Sequence, residues 1–275
     1  MCCNTKSEID VQGHRGCRGL LPENSLLAFE KAIDLGVHTL ELDLVITKDK
    51  HAIVSHEPFM SRTICLDPYG NVIPESDDKK YNLYQMTHEQ IKQFDCGTRR
   101  HDRFPKQENI KVYKPLLKEV FALAEVKHPN IKYNIEIKSR PSYDLEFTPI
   151  PAEFVSIVLA EIKDAGVFDR VNLQSFDLRT LEAIKTQAPK MKVALLVDDS
   201  EDIWHKLTLL SYKPDIVSPY YKLLDAKIVR NLKAEYFQVI PWTVNQLEDM
   251  QLMLGYDVDG IITDYPDVLQ DMLLR

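Results

Sequence analysis

Four short stretches of the chain combine titratable side chains in patterns suited to chemistry on a charged substrate. Residues 39–44 read Thr-Leu-Glu-Leu-Asp-Leu. Side chains alternate along a strand, so Glu41 and Asp43 share one face while Leu40, Leu42 and Leu44 share the other. The leucines suit an outer face covered by helices, which turns both carboxylates inward. Unpaired carboxylates in a core are costly, so the pair requires either a divalent cation or salt bridges to interior lysine or arginine. Ligands that are all oxygen favour Mg²⁺ or Ca²⁺ over zinc. Residues 134–138 repeat the pattern, with Glu136 and Lys138 on one face and isoleucines on the other. Glu136 adds a third carboxylate for the same cation, and Lys138 an ammonium within reach of a bound anion. An ion-pair network is the structural alternative.

The other two stretches carry imidazoles. Gly13-His14-Arg15-Gly16 follows the first apolar run. It sets an imidazole and a guanidinium at a strand end, between glycines that permit close backbone approach to a ligand. His56 follows the short run Ile53-Val54-Ser55, which pairs back on the second strand and brings a second histidine to the same mouth. Two histidines beside a phosphate can act as general base and general acid, because imidazole titrates near working pH. His38, His51, His88, His101, His128 and His205 lack such company and read as structural or solvated. Gln174-Ser175-Phe176, Pro219-Tyr220, Trp242-Thr243-Val244-Asn245 and Thr263-Asp264-Tyr265-Pro266 also end apolar runs. Phe176, Tyr220 and Trp242 either form an apolar wall against a substrate or simply close the core.

The elements that must position these residues alternate from end to end. Strands are predicted near 9–13, 38–45, 132–138, 171–175, 191–197, 215–218, 237–242 and 258–262. Helical periodicity appears near 24–35, 115–126, 152–165, 177–188, 200–210, 225–234, 245–254 and 266–274. Eight β-α units predict an α/β fold, a (β/α)8 TIM barrel, whose chemistry sits at the C-terminal strand ends. Asn24 or Ser25, Asp177, Asp225 and Asn245 are N-cap candidates, and Gly36 ends the first helix. Pro115, Pro151 and Pro266 fall at or near first-turn positions. The rhythm breaks only at 57–114, which is long, polar and rich in Asp, Lys, Tyr and Pro, with a short helical segment near 87–94. A segment of that length is rarely a plain loop. It reads as an inserted subdomain after the second barrel strand, forming a wall or lid within one catalytic domain spanning 1–275.

Composition bounds the function class. The 275 residues carry a formal net charge of −8, which speaks against broad binding to nucleic acid or anionic membrane. No apolar stretch approaches the length of a membrane span, so no stable membrane insertion is expected. Five cysteines, with Cys2 and Cys3 adjacent and Cys17, Cys65 and Cys96 scattered, suggest reduced thiols. The short polar opening without a signal peptide suggests a cytoplasmic protein, or a periplasmic or lipoprotein-anchored one if an upstream export signal was removed. Oligomeric state is not readable.

Taken in order, His14-Arg15-Gly16, Pro22-Glu23-Asn24-Ser25, Glu41-Leu42-Asp43, His56, Glu136-Ile137-Lys138, Gln174-Ser175-Phe176 and Trp242-Thr243-Val244-Asn245 closely resemble the glycerophosphodiester phosphodiesterase family, within the phospholipase C-like phosphodiesterase barrels. The resemblance runs from residue 11 to about 266. It implies a hydrolase of lipid and glycerol metabolism that turns small-molecule glycerophosphodiesters into glycerol 3-phosphate and an alcohol. It implies His14 and His56 as the acid–base pair, with Arg15 beside them, and Glu41, Asp43 and Glu136 as ligands of one divalent cation. It further implies Arg15 and Lys138 on phosphate oxygens, and Phe176 and Trp242 near the glycerol. Glu57 departs from the family, which usually has Asp after this histidine. Two rivals are a barrel phospholipase of C or D type, which needs an apolar rim to meet a membrane, and a non-catalytic glycerophosphodiester-binding protein.

Overall fold

The computed structural model describes residues 9–274. Cys2 and Cys3 lie outside the described residues. In chain order the elements are β1 (Asp10–Gly13), α1 (Leu26–Asp34), β2 (Thr39–Ile46), β3 (Ala52–Val54), α2 (His88–Ile91), α3 (Leu117–Lys127), β4 (Lys132–Ile137) and α4 (Pro151–Asp164). They continue as β5 (Val171–Ser175), α5 (Leu178–Gln187), β6 (Lys192–Val197), α6 (Ile203–Thr208), β7 (Ile216–Pro219), α7 (Ala226–Ala234), β8 (Gln238–Val239), α8 (Leu247–Gly255), β9 (Gly260–Thr263) and α9 (Pro266–Leu273). Eight parallel strands run side by side in the order β8-β7-β6-β5-β4-β2-β1-β9, and β3 pairs antiparallel with β2. The expected (β/α)8 architecture is the one observed.

Pro241 shortens β8, because proline cannot donate to a ladder. The barrel is therefore sealed by single bonds instead of a ladder. Asp259 N donates to Val239 O at 2.9 Å, Ile262 N to Pro241 O at 3.0 Å and Val244 N to Ile262 O at 3.0 Å.

Strand alternation sorts the side chains as the sequence pattern requires. Leu40, Leu42 and Leu44 are fully buried under the helices, among residues such as Phe29, Val120 and Phe154. Burying each leucine contributes about 1.5–3 kcal/mol. Inside the barrel the two halves differ. Ala194, Ile216, Ile240 and Ile262 make an apolar plug under Trp242. Opposite them, Asn134 bonds Gln12 at 2.8 Å and Asn172 bonds Asn134 at 2.6 Å, a polar floor beneath the carboxylates.

Caps explain several boundaries and correct others. Ser25 Oγ accepts from Ala28 N at 3.2 Å and caps α1, whereas Asn24 stands outside with a φ of 54°. Asp177 and Asp225 cap α5 and α7, and Pro151 and Pro266 occupy first-turn positions. Asn245 caps nothing, because Gln246 is the N-cap of α8 and the Asn245 side chain is engaged by Asp264. Pro115 precedes α3, whose N-cap is Leu116.

Residues 57–114 contain one short α-helix, α2, and two 3-10 turns at Glu75–Asp77 and Leu83–Gln85, and carry their own apolar cluster of Met60, Cys65, Ile73, Leu83, Ile91 and Phe94, seated on Val45 and Ile53 of the barrel. Here the thiol expectation fails, because Cys65 and Cys96 are joined in a disulfide. The Leu66–Asp95 antiparallel bridge puts the two cysteines opposite each other, a pairing invisible at a sequence separation of 31. Cys17 remains a free, buried thiol.

Candidate active site

The ladder register assembles the carboxylates. Asp43 pairs with Glu136 between β2 and β4, and Glu136 with Gln174 between β4 and β5. Glu41 lies one inward position below Asp43. Ligand oxygens of Glu41, Asp43 and Glu136 gather within 4.8 Å of one another, all buried. Like charges set opposite each other across strands repel, so the cluster needs countercharge.

Some of it comes from the protein, as the salt-bridge alternative required. Lys138 Nζ stands 2.8 Å from Glu136 and 3.8 Å from Asp43, and Arg15 Nε 3.1 Å from Asp43. Arg15 also binds Glu23 at 2.7 Å. Asn24 donates to Asp43 at 2.9 Å, Gln174 to Glu41 at 3.0 Å, and the Arg15 backbone N–H to Glu41 at 3.0 Å.

The compensation is incomplete. Among the described residues, the three clustered carboxylates Glu41, Asp43 and Glu136 have only two side-chain cations within 4 Å, Arg15 and Lys138. The cluster therefore carries more negative charge than the protein balances locally. Burial, together with the Asp43 and Glu136 charges, holds the Glu41 carboxyl well above its usual range. Burial and the Asp43 charge lift Glu136 to about 7, and Lys138 only partly opposes them. Burial also works to raise Asp43, but Arg15, His56 and Lys138 outweigh it and keep that carboxyl well below its usual range. A buried, all-oxygen set short of positive charge fits Mg²⁺ or Ca²⁺ chemistry.

The glycines around His14 serve the fold. Gly16 has a φ of 88°, and a Cβ there would meet Ala28 at 2.7 Å; a Cβ on Gly13 would meet Gly16 O at 2.2 Å. They permit a tight turn against α1, closed by Gly16 N donating to Gly13 O, with Arg15 at a φ of 51°. The turn lifts His14 and Arg15 to the mouth.

His14 Nδ1 meets Asp264 at 2.7 Å, and Nε2 lies 3.9 Å from Glu41. Burial dominates its titration and, helped by Arg18 and Arg15, drives the imidazole down to about 4 despite Asp264. His56 Nδ1 meets Glu57 at 2.7 Å, so the longer side chain at 57 reaches the imidazole. Burial, Arg15 and Lys138 lower His56 as well.

Both histidines line one cleft of about 670 Å³ with Arg15, Glu41, Glu136, Lys138, Phe176 and Trp242. Phe176 and Trp242 meet edge to face at 5.5 Å, and Tyr220 packs on Trp242 at 5.7 Å. Trp242 is pinned by its indole N–H, 2.9 Å from Ser218 O. Of the residues singled out for catalysis, metal or phosphate, all but Asp43 line the cleft, and Asp43 is buried beside Glu41 and Glu136. Reading the sequence by pattern missed Arg18 and Lys114 and left Asp264 as a mere strand end. Arg18 lies one turn from His14 without strand or helix periodicity to flag it, and Lys114 sits in the insertion. The motif Pro22-Glu23-Asn24-Ser25 was the available signal for Glu23 and Asn24.

The comparisons agree with this architecture. A glycerophosphodiester phosphodiesterase of Caldanaerobacter subterraneus subsp. tengcongensis is 32% identical over 267 residues, covering 96% of this chain and 98% of its own. A human lysophospholipase D is 26% identical, covering 94% and 84%. The crystal structure of a putative glycerophosphoryl diester phosphodiesterase from Silicibacter pomeroyi matches with a TM-score of 0.88 at 28% identity, over 97% of this chain and 93% of that one. Residues 14–268 match the model of the Glycerophosphoryl diester phosphodiesterase family, and the chain belongs to that family.

Proposed function

We propose that this protein hydrolyses water-soluble glycerophosphodiesters to glycerol 3-phosphate and a free alcohol, using His14 and His56 for proton transfer and one divalent cation at Glu41, Asp43 and Glu136. The carrying observation is a cluster of three undercompensated buried carboxylates, two of which line a cleft shared with two histidines that are each anchored through Nδ1 by a carboxylate. When bound, the cation supplies Lewis-acid polarisation of a phosphate oxygen. Arg15 and Lys138 hold the remaining charge that builds on the phosphoryl group, a contribution of a few kcal/mol per donor.

His14, neutral at working pH, accepts or returns a proton through Nε2, and His56 serves the opposite transfer. Attack by the glycerol 2-hydroxyl or by water makes the same two demands. The Phe176–Trp242 wall suits the carbon skeleton of glycerol. It suits a cationic alcohol less, since Lys138 and Lys206 already stand 5.9 and 5.5 Å from the Phe176 ring.

The outer cleft is lined by Arg103, Arg140, Asp198, Ser200 and Glu201. This polar rim favours soluble diesters over intact lipid, and among the described residues no helix is long and apolar enough to cross a membrane. The disulfide favours an oxidising compartment over the cytosol.

The test is release of glycerol 3-phosphate from glycerophosphocholine and glycerophosphoethanolamine with EDTA, Mg²⁺ or Ca²⁺. Turnover abolished by EDTA and restored by one cation supports the proposal. Absence of turnover on both substrates with either cation rejects it in favour of a lipid substrate or a binding protein.

A further inference from the structure

We propose that Asp264 is the positioning residue of His14: it fixes the imidazole proton on Nδ1, leaves the Nε2 lone pair facing the cleft, and can do so only as a carboxylate. The inference rests on the proton-transfer reading of His14 given above.

Asp264 follows β9, has no solvent exposure and does not line the cleft. It therefore acts through another group. Its neighbourhood is set by the β1–β9 ladder, where Gly13 pairs with Thr263 and His14 N donates to Thr263 O at 2.9 Å. The imidazole and its anchor thus leave adjacent strand ends.

Four side-chain donors converge on the two carboxylate oxygens. Arg18 Nε and His14 Nδ1 both meet Oδ1 at 2.7 Å. Arg18 Nη2 at 3.0 Å and Asn245 Nδ2 at 2.7 Å meet Oδ2. A guanidinium has no acceptor. Asn245 cannot turn its oxygen to Asp264 either, because that oxygen already accepts from the Asp264 backbone N–H at 2.9 Å and the Thr263 hydroxyl at 3.3 Å. An ionised carboxylate only accepts. His14 Nδ1 must therefore carry the proton, and Nε2 keeps its lone pair on the side of Glu41, 3.9 Å away. The anchor is itself held: the Arg18 guanidinium lies 4.7 Å over the Phe104 ring of the insertion and 3.7 Å from Glu23.

An amide at 264 cannot reproduce this. Its NH₂ faces two donors whichever way it is turned, either His14 Nδ1 with Arg18 Nε, or Arg18 Nη2 with Asn245 Nδ2. In the first orientation the imidazole escapes by moving its proton to Nε2, which removes the lone pair from the cleft.

The first readout is the pair of imidazole ¹⁵N resonances of His14 in the wild-type protein at neutral pH, with and without divalent cation, assigned through His14→Gln. A protonated Nδ1 and unprotonated Nε2 are expected; the opposite tautomer, or two protonated nitrogens, overturns the proposal without any variant at the anchor having to fold.

The second is kcat and KM of Asp264→Asn, alone and combined with His14→Ala. Alone, kcat falls about 10²-fold or more with KM within a few-fold. In the His14→Ala background the same change costs nothing further. A kcat that survives Asp264→Asn, or that falls equally in both backgrounds, assigns Asp264 a structural role and overturns the proposal. Should His14→Ala itself keep normal turnover, the functional reading of His14 fails, while the ¹⁵N result still decides whether Asp264 sets the tautomer.

Discussion

Cation affinity should rise with pH, and the structure sets the slope. A carboxylate must be ionised to hold a cation, so binding displaces any proton it carries. Burial and the Asp43 charge lift Glu136 from 4.5 to about 7, so below pH 7 one proton must leave. Each pH unit below that point then weakens Kd about tenfold, or about 1.4 kcal/mol. Burial with the Asp43 and Glu136 charges raises Glu41 as well. A second displaced proton steepens the loss toward about a hundredfold per unit. The two protons belong to the cluster rather than to single residues, because the carboxylates interact strongly. Asp43, held well below its usual range, is ionised throughout and adds no slope. His14, at about 4, stays neutral across the window. Affinity should therefore climb from about pH 6 to pH 8, with the slope easing once Glu136 has lost its proton. Titration calorimetry with Mg²⁺ and Ca²⁺ near pH 6.5, in two buffers of different ionisation enthalpy, should count between about one and two released protons. Glu136→Gln should lower that count by about one. A Kd flat between pH 6 and 8 with no proton release would refute the claim that these carboxylates are undercompensated and await a cation.

Three further outcomes follow from named contacts. His14→Ala or His56→Ala should lower kcat about 10²-fold or more in steady-state assays on glycerophosphocholine, and a near-normal rate in either removes that histidine from the chemistry. Replacing Cys65 and Cys96 with serine should destabilise the protein by about 3–4 kcal/mol, from the loop entropy of a 31-residue separation, read as a lower denaturant midpoint; thiol counting under non-reducing denaturation should find both cysteines unreactive in the wild type. Leu42→Ala, on the outer face of β2 and fully buried, should cost about 2–5 kcal/mol in urea unfolding while kcat of the folded enzyme stays unchanged, since only the inward residues of that strand reach the cleft.

Much of the site was legible because strand periodicity is a local property. Glu41 and Asp43 against three leucines, and Glu136 and Lys138 against two isoleucines, announce which side chains point inward before any partner strand is known. The eight-fold alternation then names the end of the barrel where they emerge, and the ordered motifs point to a family. The register between strands is different in kind. That Asp43 stands beside Glu136, and Glu136 beside Gln174, follows from how the sheet closes, and so does the charge deficit that results. Longer-range meetings were further out of reach. Asp264 and Arg18 sit 246 residues apart and form the anchor of His14, and nothing in the local pattern of either residue marks it. The disulfide failed for the same reason, since cysteine count and scatter hold no information on an antiparallel bridge inside an irregular insertion. Asn245 reads as a helix cap by composition, yet the nearer demand of a buried carboxylate claimed its side chain. The sequence by itself determined which side chains face inward and at which strand ends. The tertiary structure alone decided which of them touch, because contact depends on strand register and barrel closure, and these are set by packing over the whole chain.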